Sequence, residues 1–171
     1  SVVRYGNVMG SRGSVIPHFL SIKDSNVIPI TDPRMTRFMI SLEQGVELVW
    51  TALEDMEGGE IYVKKIPSVK MTDIAKAIAP NAEIKTVGIR PGEKLHEQMI
   101  SQEDALYTYE YSNYYKILPA INNWCNDDAR IKDGVKVPSD FVYSSESNSQ
   151  WMGMDDLASV INRLQDSAVG F

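Results

Sequence analysis

The stretch from Val2 to Ser14 reads VVRYGNVMGSRGS, a β-branched start that runs into a turn punctuated by glycines. Residues 15–23 then follow the apolar spacing of a short helix. A strand, a glycine turn and a helix N-terminus together form a geometry that binds phosphate through backbone N–H groups. Because such an apolar strand is normally buried between neighbours on both sides, the stretch predicts an α/β fold and the later part of a larger protein.

The composition limits the classes of protein to which the chain can belong. Its 171 residues fit one domain, or one domain with part of another. The net charge of -6 disfavours a nucleic-acid partner or a membrane surface for the chain as a whole. The single cysteine, Cys125, excludes an internal disulfide and fits a reducing cytoplasm. No apolar run approaches the ~20 residues of a membrane span, and the histidines and cysteine lack metal-type spacing.

Helical and extended patterns alternate through the first 100 residues, which predicts an α/β or α+β layer arrangement. Ser41 is suited to cap a helix that ends at Gly58-Gly59, and Thr72 is suited to cap the helix at 71–79. A cluster of tyrosines at 107–115 suggests a hairpin. The remaining predictions are strands at 1–5, 27–31, 60–63 and 83–89, helices at 15–23, 93–99 and 155–164, and an irregular polar segment at 122–138.

The glycine-rich turn is the first candidate site. Gly6, Gly10 and Gly13 allow the backbone to approach a ligand closely. Ser14 is placed to cap the following helix, and the guanidinium of Arg12 is a forked donor suited to phosphate. On spacing alone, an ordinary glycine-rich surface turn is the favoured interpretation.

The second candidate is the segment 31–38, which reads TDPRMTRF. Arg34 and Arg37 are three residues apart in an extended segment and therefore point to opposite faces. One of them is expected to meet a ligand or an acidic partner, and the spacing does not choose between them. A pair of solvated charges at a sheet edge is an equally good interpretation.

The third candidate is the segment 88–97, which reads GIRPGEKLHE. Its Pro-Gly pair fixes a tight turn, so Arg90 and Glu93 flank the turn and can aim at one point. The guanidinium suits a phosphate and the carboxylate suits sugar hydroxyls; a weak ion pair within the turn is the alternative. His18 and His96 are interpreted as ordinary helix residues, and the tyrosines as a half-buried sheet face or subunit interface rather than a sugar platform.

Residues 4–17, 30–38 and 89–97 together resemble the C-terminal half of the inverting UDP-N-acetylglucosamine 4,6-dehydratases of bacterial pseudaminic acid and capsule synthesis. These are extended short-chain dehydrogenase/reductase proteins, and the resemblance extends to about residue 151. It implies the C-terminal part of a doubly wound, NAD(P)-binding Rossmann-type fold with a small α/β substrate-binding lobe. The implied units are the end of the dinucleotide-binding domain (1–26), the lobe with returning Rossmann elements (27–151) and a C-terminal helix (152–171).

The resemblance also implies a reaction and its binding residues. NADP, or alternatively NAD, takes hydride from C4 of the sugar, water is lost across C5–C6, and hydride returns to C6 with inversion at C5. Asn7 would hold the substrate diphosphate. The residues implied to grip the UDP moiety are Thr31, Arg37, Arg90 and Glu93, and those implied to line the nicotinamide side of the cofactor are Val8, Met9, Gly10, Ser11 and Arg12.

Two signatures of the family are absent from these 171 residues, namely the Gly-x-Gly-x-x-Gly fingerprint and the Tyr-x-x-x-Lys pair. The chain is therefore expected to carry most of a substrate site but no catalytic residues, and to be inactive by itself. The full-length protein is expected to be a cytoplasmic homo-oligomer. A non-catalytic module that binds a nucleotide sugar or a partner is the alternative, and a related epimerase or retaining dehydratase is a third hypothesis.

Overall fold

The computed structural model of the chain describes residues 1–168. Its largest sheet begins with β1 (Val2–Arg4), which lies parallel to β5 (Ile61–Lys64) and has no other strand beside it among the described residues. The predicted tyrosine hairpin is confirmed as β9 (Thr108–Glu110) and β10 (Tyr114–Ile117), and β10 runs antiparallel to β5. With β11 (Val135–Lys136) the strand order is β1-β5-β10-β9-β11.

The tyrosine cluster is a sheet face, as predicted. Tyr109, Tyr111 and Tyr115 are buried, and the rings of Tyr111 and Tyr114 stack with their centroids 4.6 Å apart. Burial raises the pKa of Tyr115 to about 12, which keeps its hydroxyl neutral. These side chains hold strands together and are unavailable as a platform for a ligand.

Helix α2 (Leu42–Asp55) begins at Ser41, as predicted, with a capping box. The hydroxyl of Ser41 accepts from the Gln44 N–H at 3.2 Å, and the Gln44 side chain accepts from the Ser41 N–H at 3.1 Å. Only one face of the helix packs on the sheet, where Leu48 and Ala52 contact Tyr62. The apolar side chains on the rest of the helix are exposed, namely Leu42, Val46, Val49, Trp50 and Leu53.

A second group of elements draws on all three predicted units, 1–26, 27–151 and 152–171, and we call this group the lobe. In it, β2 (Asn7–Val8) lies parallel to β4 (Thr36–Ile40), and β4 runs antiparallel to β6 (Ser68–Lys70). A separate pair, β3 (Val27–Ile30) and β7 (Glu83–Thr86), is parallel. The helices that pack against them are α1 (Val15–Ser21), α3 (Met71–Ile78) and α6 (Met154–Ala168).

These helices and strands enclose a shared apolar core, which side chains from all three helices enter. Its fully or nearly fully buried members include Ile16, Phe19, Ile28, Met39, Ile74 and Leu157. The predicted helix at 155–164 is confirmed within α6, and the last residues of the predicted C-terminal unit, 169–171, lie outside the described residues.

Gly6 is required by a close approach between the β1–β2 connection and β4. A Cβ on Gly6 would lie 2.5 Å from the Phe38 carbonyl oxygen and 2.5 Å from the Phe38 Cβ. Both atoms are fixed by the strand, so neither can move away cheaply. Glycine at this position therefore lets the β1–β2 connection cross β4, and it places Asn7 beside that strand.

Three details of the predicted secondary structure are wrong. Residues 93–99 form no helix, because a turn leads into β8 (Gln98–Ile100), which pairs with β12 (Tyr143–Ser144). Thr72 does not cap α3, since the helix begins at Met71 directly after β6.

The segment 122–138 is largely ordered, and its elements are a 3-10 helix (Ile121–Asn126), α5 (Asp128–Ile131) and β11. A short helix, α4 (Gln102–Ala105), follows β8.

The predicted α/β class is confirmed by the parallel strand pairs with helices packed on them. Over residues 1–168, no helix is both long and apolar enough to cross a membrane. Within the same range, no group of side chains is arranged to hold a metal ion.

Candidate functional site

A cavity of about 540 Å³ lies between α1, the ends of β3 and β4, and the loop after β7; we call it the main cleft. It is lined by side chains from four separate stretches of the chain. Every residue that the resemblance assigned to the substrate lies on its wall: Asn7, Thr31, Arg37, Arg90 and Glu93.

The parallel pairing of β3 and β7 brings two of these stretches together. Thr31 follows β3 and residues 87–93 follow β7, and parallel strands end at the same edge of a sheet. The ladder continues past both strands, because Gly88 N–H donates to the Thr31 carbonyl at 3.1 Å. The Glu93 carboxylate accepts from the Thr31 hydroxyl at 3.4 Å and from the Arg90 N–H at 3.2 Å. Glu93 therefore ties both segments to one point of the main cleft.

Arg90 is the exposed cation of the main cleft. Within the part of the chain that the structure describes, its guanidinium forms no ion pair, and Glu93 meets the backbone of Arg90 instead. The alternative of an ion pair inside the turn is therefore wrong. A guanidinium on a cavity wall without a protein partner is suited to bind a phosphate oxygen.

Arg37 lies on the cleft wall and Arg34 does not. Arg34 precedes β4, is exposed, and pairs with Asp32 at 2.8 Å; its hydrogen bonds lower the pKa of Asp32 to about 2. The prediction that both arginines lie in one strand is therefore wrong, because the turn at residues 33–34 separates them.

The Arg37 guanidinium is mostly engaged within the protein. Its Nη1 donates to the carbonyls of Thr36 at 2.7 Å and Leu95 at 3.0 Å, and its Nη2 donates to the Lys94 carbonyl at 2.9 Å. These bonds fasten the loop that carries Glu93 to β4. The same bonds explain why residues 93–99 form no helix, since carbonyls that a helix would use are bound by Arg37.

Glu97 is a site residue that the sequence analysis missed. Its Oε1 accepts from Asn7 Nδ2 at 2.9 Å, and its Oε2 accepts from the Phe38 N–H at 2.8 Å. It also lines a second cavity of about 520 Å³, the side groove, which shares Asn7 with the main cleft. Its place in the 88–97 segment, four residues after Glu93, was the available signal, but its contact with Asn7 joins residues that are 90 positions apart.

The two histidines differ in position. His18 is a helix residue, as predicted, and it lines the main cleft from α1. His96 is not on a helix, contrary to the prediction. Its Nδ1 lies 2.8 Å from the Thr36 hydroxyl, and its Nε2 lies 3.5 Å from the Glu146 carboxylate. His96 therefore connects the 88–97 segment to β4 and to Glu146.

The residues implied to face the cofactor form the turn between β2 and α1. Val8 pairs with Ile40 in the sheet, and Met9 packs against the lobe core. Gly10 has a φ of 76°, which favours glycine, and a Cβ there would lie 2.3 Å from the Cδ2 methyl of Leu164 in α6, which would have to move. Ser11 and Arg12 are exposed. Their assignment to the cofactor stays a prediction.

Ser14 occupies the N-cap position of α1, as predicted, but its side chain forms no capping hydrogen bond. Its hydroxyl oxygen is buried and has no hydrogen-bond partner among the described residues. The backbone before it is held by a bond from the Ser14 N–H to the Ser11 carbonyl at 3.0 Å. The turn is thus closed by backbone bonds, and the Ser14 residue lines the main cleft.

Comparison with known proteins places this geometry in a family. Residues 1–119 match the family described as polysaccharide biosynthesis protein. The chain is 51% identical over 172 residues to the inverting UDP-N-acetylglucosamine 4,6-dehydratase of Campylobacter jejuni, covering 96% of this chain and 52% of the relative. It is 44% identical over 121 residues to the UDP-glucose 4-epimerase of Rickettsia conorii, covering 68% of this chain and 36% of that relative.

A solved structure supports the fold. The crystal structure of Pen from Bacillus thuringiensis superposes with a TM-score of 0.80 at 30% identity, covering 95% of this chain and 49% of that one. The chain spans about half the length of the curated relatives it matches. The resemblance stated from the three motifs is confirmed, and the chain belongs to the polysaccharide biosynthesis protein family.

Proposed function

We propose that the chain is the part of a nucleotide-sugar 4,6-dehydratase that holds the substrate, UDP-N-acetylglucosamine. The convergence of Thr31, Arg37, Arg90 and Glu93 with Asn7 on one cleft of about 540 Å³ carries this proposal. The dehydratase from Campylobacter jejuni, whose sequence is 51% identical over 172 residues, supports the choice of reaction and sugar.

Three side chains of the main cleft are proposed to act on different parts of the ligand or of the site, each according to its chemistry. Arg90 meets the diphosphate, because its guanidinium is exposed and unpaired within the described chain. The Glu93 carboxylate accepts hydrogen bonds from the ribose or the uracil. Arg37 fastens the 94–95 backbone to β4 and so fixes where Glu93 stands. The cleft thus offers a cation for one part of the ligand and acceptors for another.

The proposed reaction needs groups beyond these residues. NADP, when bound to the whole protein, supplies the acceptor and donor of hydride for the steps at C4 and C6. The turn from Val8 to Arg12 is the part of this chain proposed to meet it. Because no tyrosine in the chain is followed four residues later by lysine, we propose that the isolated chain binds substrate and forms no product. The whole protein is proposed to be a cytoplasmic homo-oligomer.

A related 4-epimerase is the second candidate, because the Rickettsia relative shares 44% identity over 121 residues. The two reactions differ in their product. A dehydratase product lacks one water and carries a 4-keto group, whereas an epimerase product keeps the mass of the substrate. Mass analysis of the product formed by the longer protein distinguishes them.

Titration of the chain with UDP-N-acetylglucosamine tests the proposal. We expect saturable binding by calorimetry, with NMR shifts confined to the main cleft. Arg90→Ala is expected to weaken binding about tenfold or more, the loss typical of a charged hydrogen bond. Arg34→Ala is the matched control, since Arg34 lies outside the cleft, and it should bind like the wild type. No binding, or equal loss in both variants, would contradict the proposal.

Incubation of the chain with NADP and UDP-N-acetylglucosamine tests its inactivity. We expect no 4-keto sugar above a protein-free blank. Formation of that product by these 171 residues would overturn the assignment of catalysis to residues outside them.

A further inference from the structure

Ser145 is a fully buried polar residue that the proposed function leaves unused. It directly follows β12, and its exposed fraction is 0%. Its hydroxyl oxygen accepts from the Glu97 N–H at 2.9 Å, and its own N–H donates to the Glu97 carbonyl at 2.8 Å. Ser145 therefore holds the backbone of Glu97 on both sides, although the two residues are 48 positions apart in the sequence.

The same hydroxyl belongs to a chain of hydrogen bonds that leads to His96. Ser145 Oγ lies 2.8 Å from Thr36 Oγ1, which in turn lies 2.8 Å from His96 Nδ1. The Glu146 carboxylate, which can only accept, lies 3.5 Å from His96 Nε2 and favours a proton on that nitrogen. In the neutral ring Nδ1 is then the acceptor for the Thr36 hydroxyl, and Thr36 accepts from Ser145. With the Glu97 N–H, these bonds all run in one direction and satisfy each hydroxyl as donor and acceptor.

The ligand-facing end of this chain of bonds is the Glu97 side chain. Within the described residues, neither Ser145 nor Thr36 lines the main cleft or the side groove. Glu97 Oε1 accepts from Asn7 Nδ2 at 2.9 Å, and Oε2 accepts from the Phe38 N–H at 2.8 Å. Ser145 thus fixes the backbone of the residue whose carboxylate contacts Asn7, and Asn7 lines both cavities.

We propose that Ser145 is a positioning residue for the nucleotide-sugar site, which acts through Glu97 on Asn7 and has no contact with the ligand. Without the Ser145 hydroxyl, the Glu97 N–H lacks its acceptor, and an unpaired backbone donor in a buried place is costly enough to shift the backbone. The carboxylate moves with it, and Asn7 loses the partner that fixes its amide. This inference rests on the proposed function, with Asn7 in the diphosphate-binding role that the resemblance implies.

Ser145→Ala and Ser68→Ala are matched variants, because each removes one hydroxyl from a residue with no exposed surface. Ser68 Oγ accepts from Asn148 Nδ2 at 3.1 Å and, within the described chain, forms no bond to residues 88–97. We expect Ser145→Ala to weaken UDP binding about tenfold by calorimetry, the effect of one misplaced hydrogen bond near a charge. Ser68→Ala should change this affinity less than about twofold, although both variants lower the melting temperature. Equal affinities in the two variants would overturn the inference.

A pair of Thr36 variants tests the chain of bonds even if Ser145→Ala does not fold. Thr36→Val keeps the size of the side chain but removes the hydroxyl between Ser145 and His96, whereas Thr36→Ser keeps that hydroxyl. We expect Thr36→Val to weaken UDP binding several-fold and Thr36→Ser to stay within about twofold of the wild type. Losses of the same size in both variants would contradict a role for the hydroxyl.

A double variant tests whether Ser145 acts through Glu97. Glu97→Ala removes the carboxylate and should itself weaken UDP binding about tenfold or more. Adding Ser145→Ala to Glu97→Ala is expected to weaken binding less than about twofold further, because the route to Asn7 is already broken. Losses that multiply fully would show that Ser145 reaches the ligand by another route, which would overturn the assignment.

NMR without ligand separates a failure of this inference from a failure of the proposed function. The side-chain amide of Asn7 and the backbone amide of Glu97 should shift in the ¹H–¹⁵N spectrum of Ser145→Ala and stay near their wild-type positions in Ser68→Ala. An unshifted Asn7 amide in Ser145→Ala would overturn the positioning role alone. No UDP binding by the wild type would overturn the proposed function, and with it any role of Ser145 toward a ligand.

Discussion

The lobe around the main cleft and the face of the large sheet that carries β1 and α2, which we call the sheet side, bury their apolar residues to very different extents. In the lobe, α1, α3 and α6 enclose a common core with the strands, and Leu157 and Ile74 are fully buried. On the sheet side, β1 has a single neighbour within the described chain, and α2 leaves Trp50 62% exposed and Leu53 51% exposed.

The difference shows which part of the chain buries its apolar side chains against its own elements. An exposed row of large apolar side chains beside an unpaired strand edge is unusual for a surface that faces only water. The curated dehydratase relative is about twice as long as this chain. The lobe therefore encloses its apolar side chains in a shared core, whereas the β1–α2 side leaves large apolar side chains exposed.

Matched leucine substitutions test this contrast and should show the largest effect. Leu157→Ala in the lobe core is expected to lower the free energy of unfolding by about 2–5 kcal/mol, because it leaves a cavity. Leu53→Ala on α2 removes the same atoms from an exposed position and should cost less than about 0.5 kcal/mol. Urea denaturation measures both values. Similar losses would show that the two regions do not differ in the way described.

The sheet side has an ionic contact that compensates in part for its small core. Burial would raise the pKa of Asp55, but hydrogen bonds from Lys116, Lys132 and Tyr62 outweigh it and lower this pKa to about 2. The distances from Lys116 Nζ and the Tyr62 hydroxyl to Asp55 are both 2.7 Å. This cluster fastens the end of α2 to β5 and β10.

Acid should therefore destabilise the chain through Asp55. Because its folded pKa lies below the unfolded value of 3.8, its contribution is present above about pH 4 and is lost as the pH falls towards 2. The expected size is about 2 kcal/mol. Asp55→Asn should remove this part of the pH dependence, and Asp140→Asn, at an exposed position, should retain it. Denaturation curves between pH 2 and pH 7 provide the measurement, and identical curves for the wild type and Asp55→Asn would refute the prediction.

Hydrogen exchange should reveal the smallest effect, which is local. The amides of β1 are expected to exchange at least about tenfold faster than those of β4, because β1 can separate from β5 without opening the lobe core. Exchange followed by NMR on the isolated chain gives both rates. A sharp cooperative melt with native-like protection across residues 1–5 would instead show that this side is as stable as the lobe.

Features set by neighbouring residues could be predicted from the sequence. The cap at Ser41, the hairpin around the tyrosines and the turn at residues 91–92 depend on local patterns, and the structure contains all three. The cleft residues could be named because three motifs resemble a known family. The parallel pairing of β3 and β7 brings two of these motifs together, and the pairing of β2 with β4 adds the first.

Features set by distant contacts could not be predicted in this way. The helix expected at 93–99 is replaced because Arg37 binds the carbonyls of Lys94 and Leu95 across the fold. Spacing alone could not choose between Arg34 and Arg37, since the turn that separates them was not visible in the pattern. Glu97 contacts Asn7, which lies 90 positions earlier in the sequence, so no local pattern could reveal the contact.

The contact between Gly10 and Leu164 joins the first turn of the chain to its last helix. A side chain at position 10 would meet Leu164 and would also have to adopt a φ of 76°, which only glycine takes without strain. The packing of α6 therefore limits which residues the turn between β2 and α1 can accept.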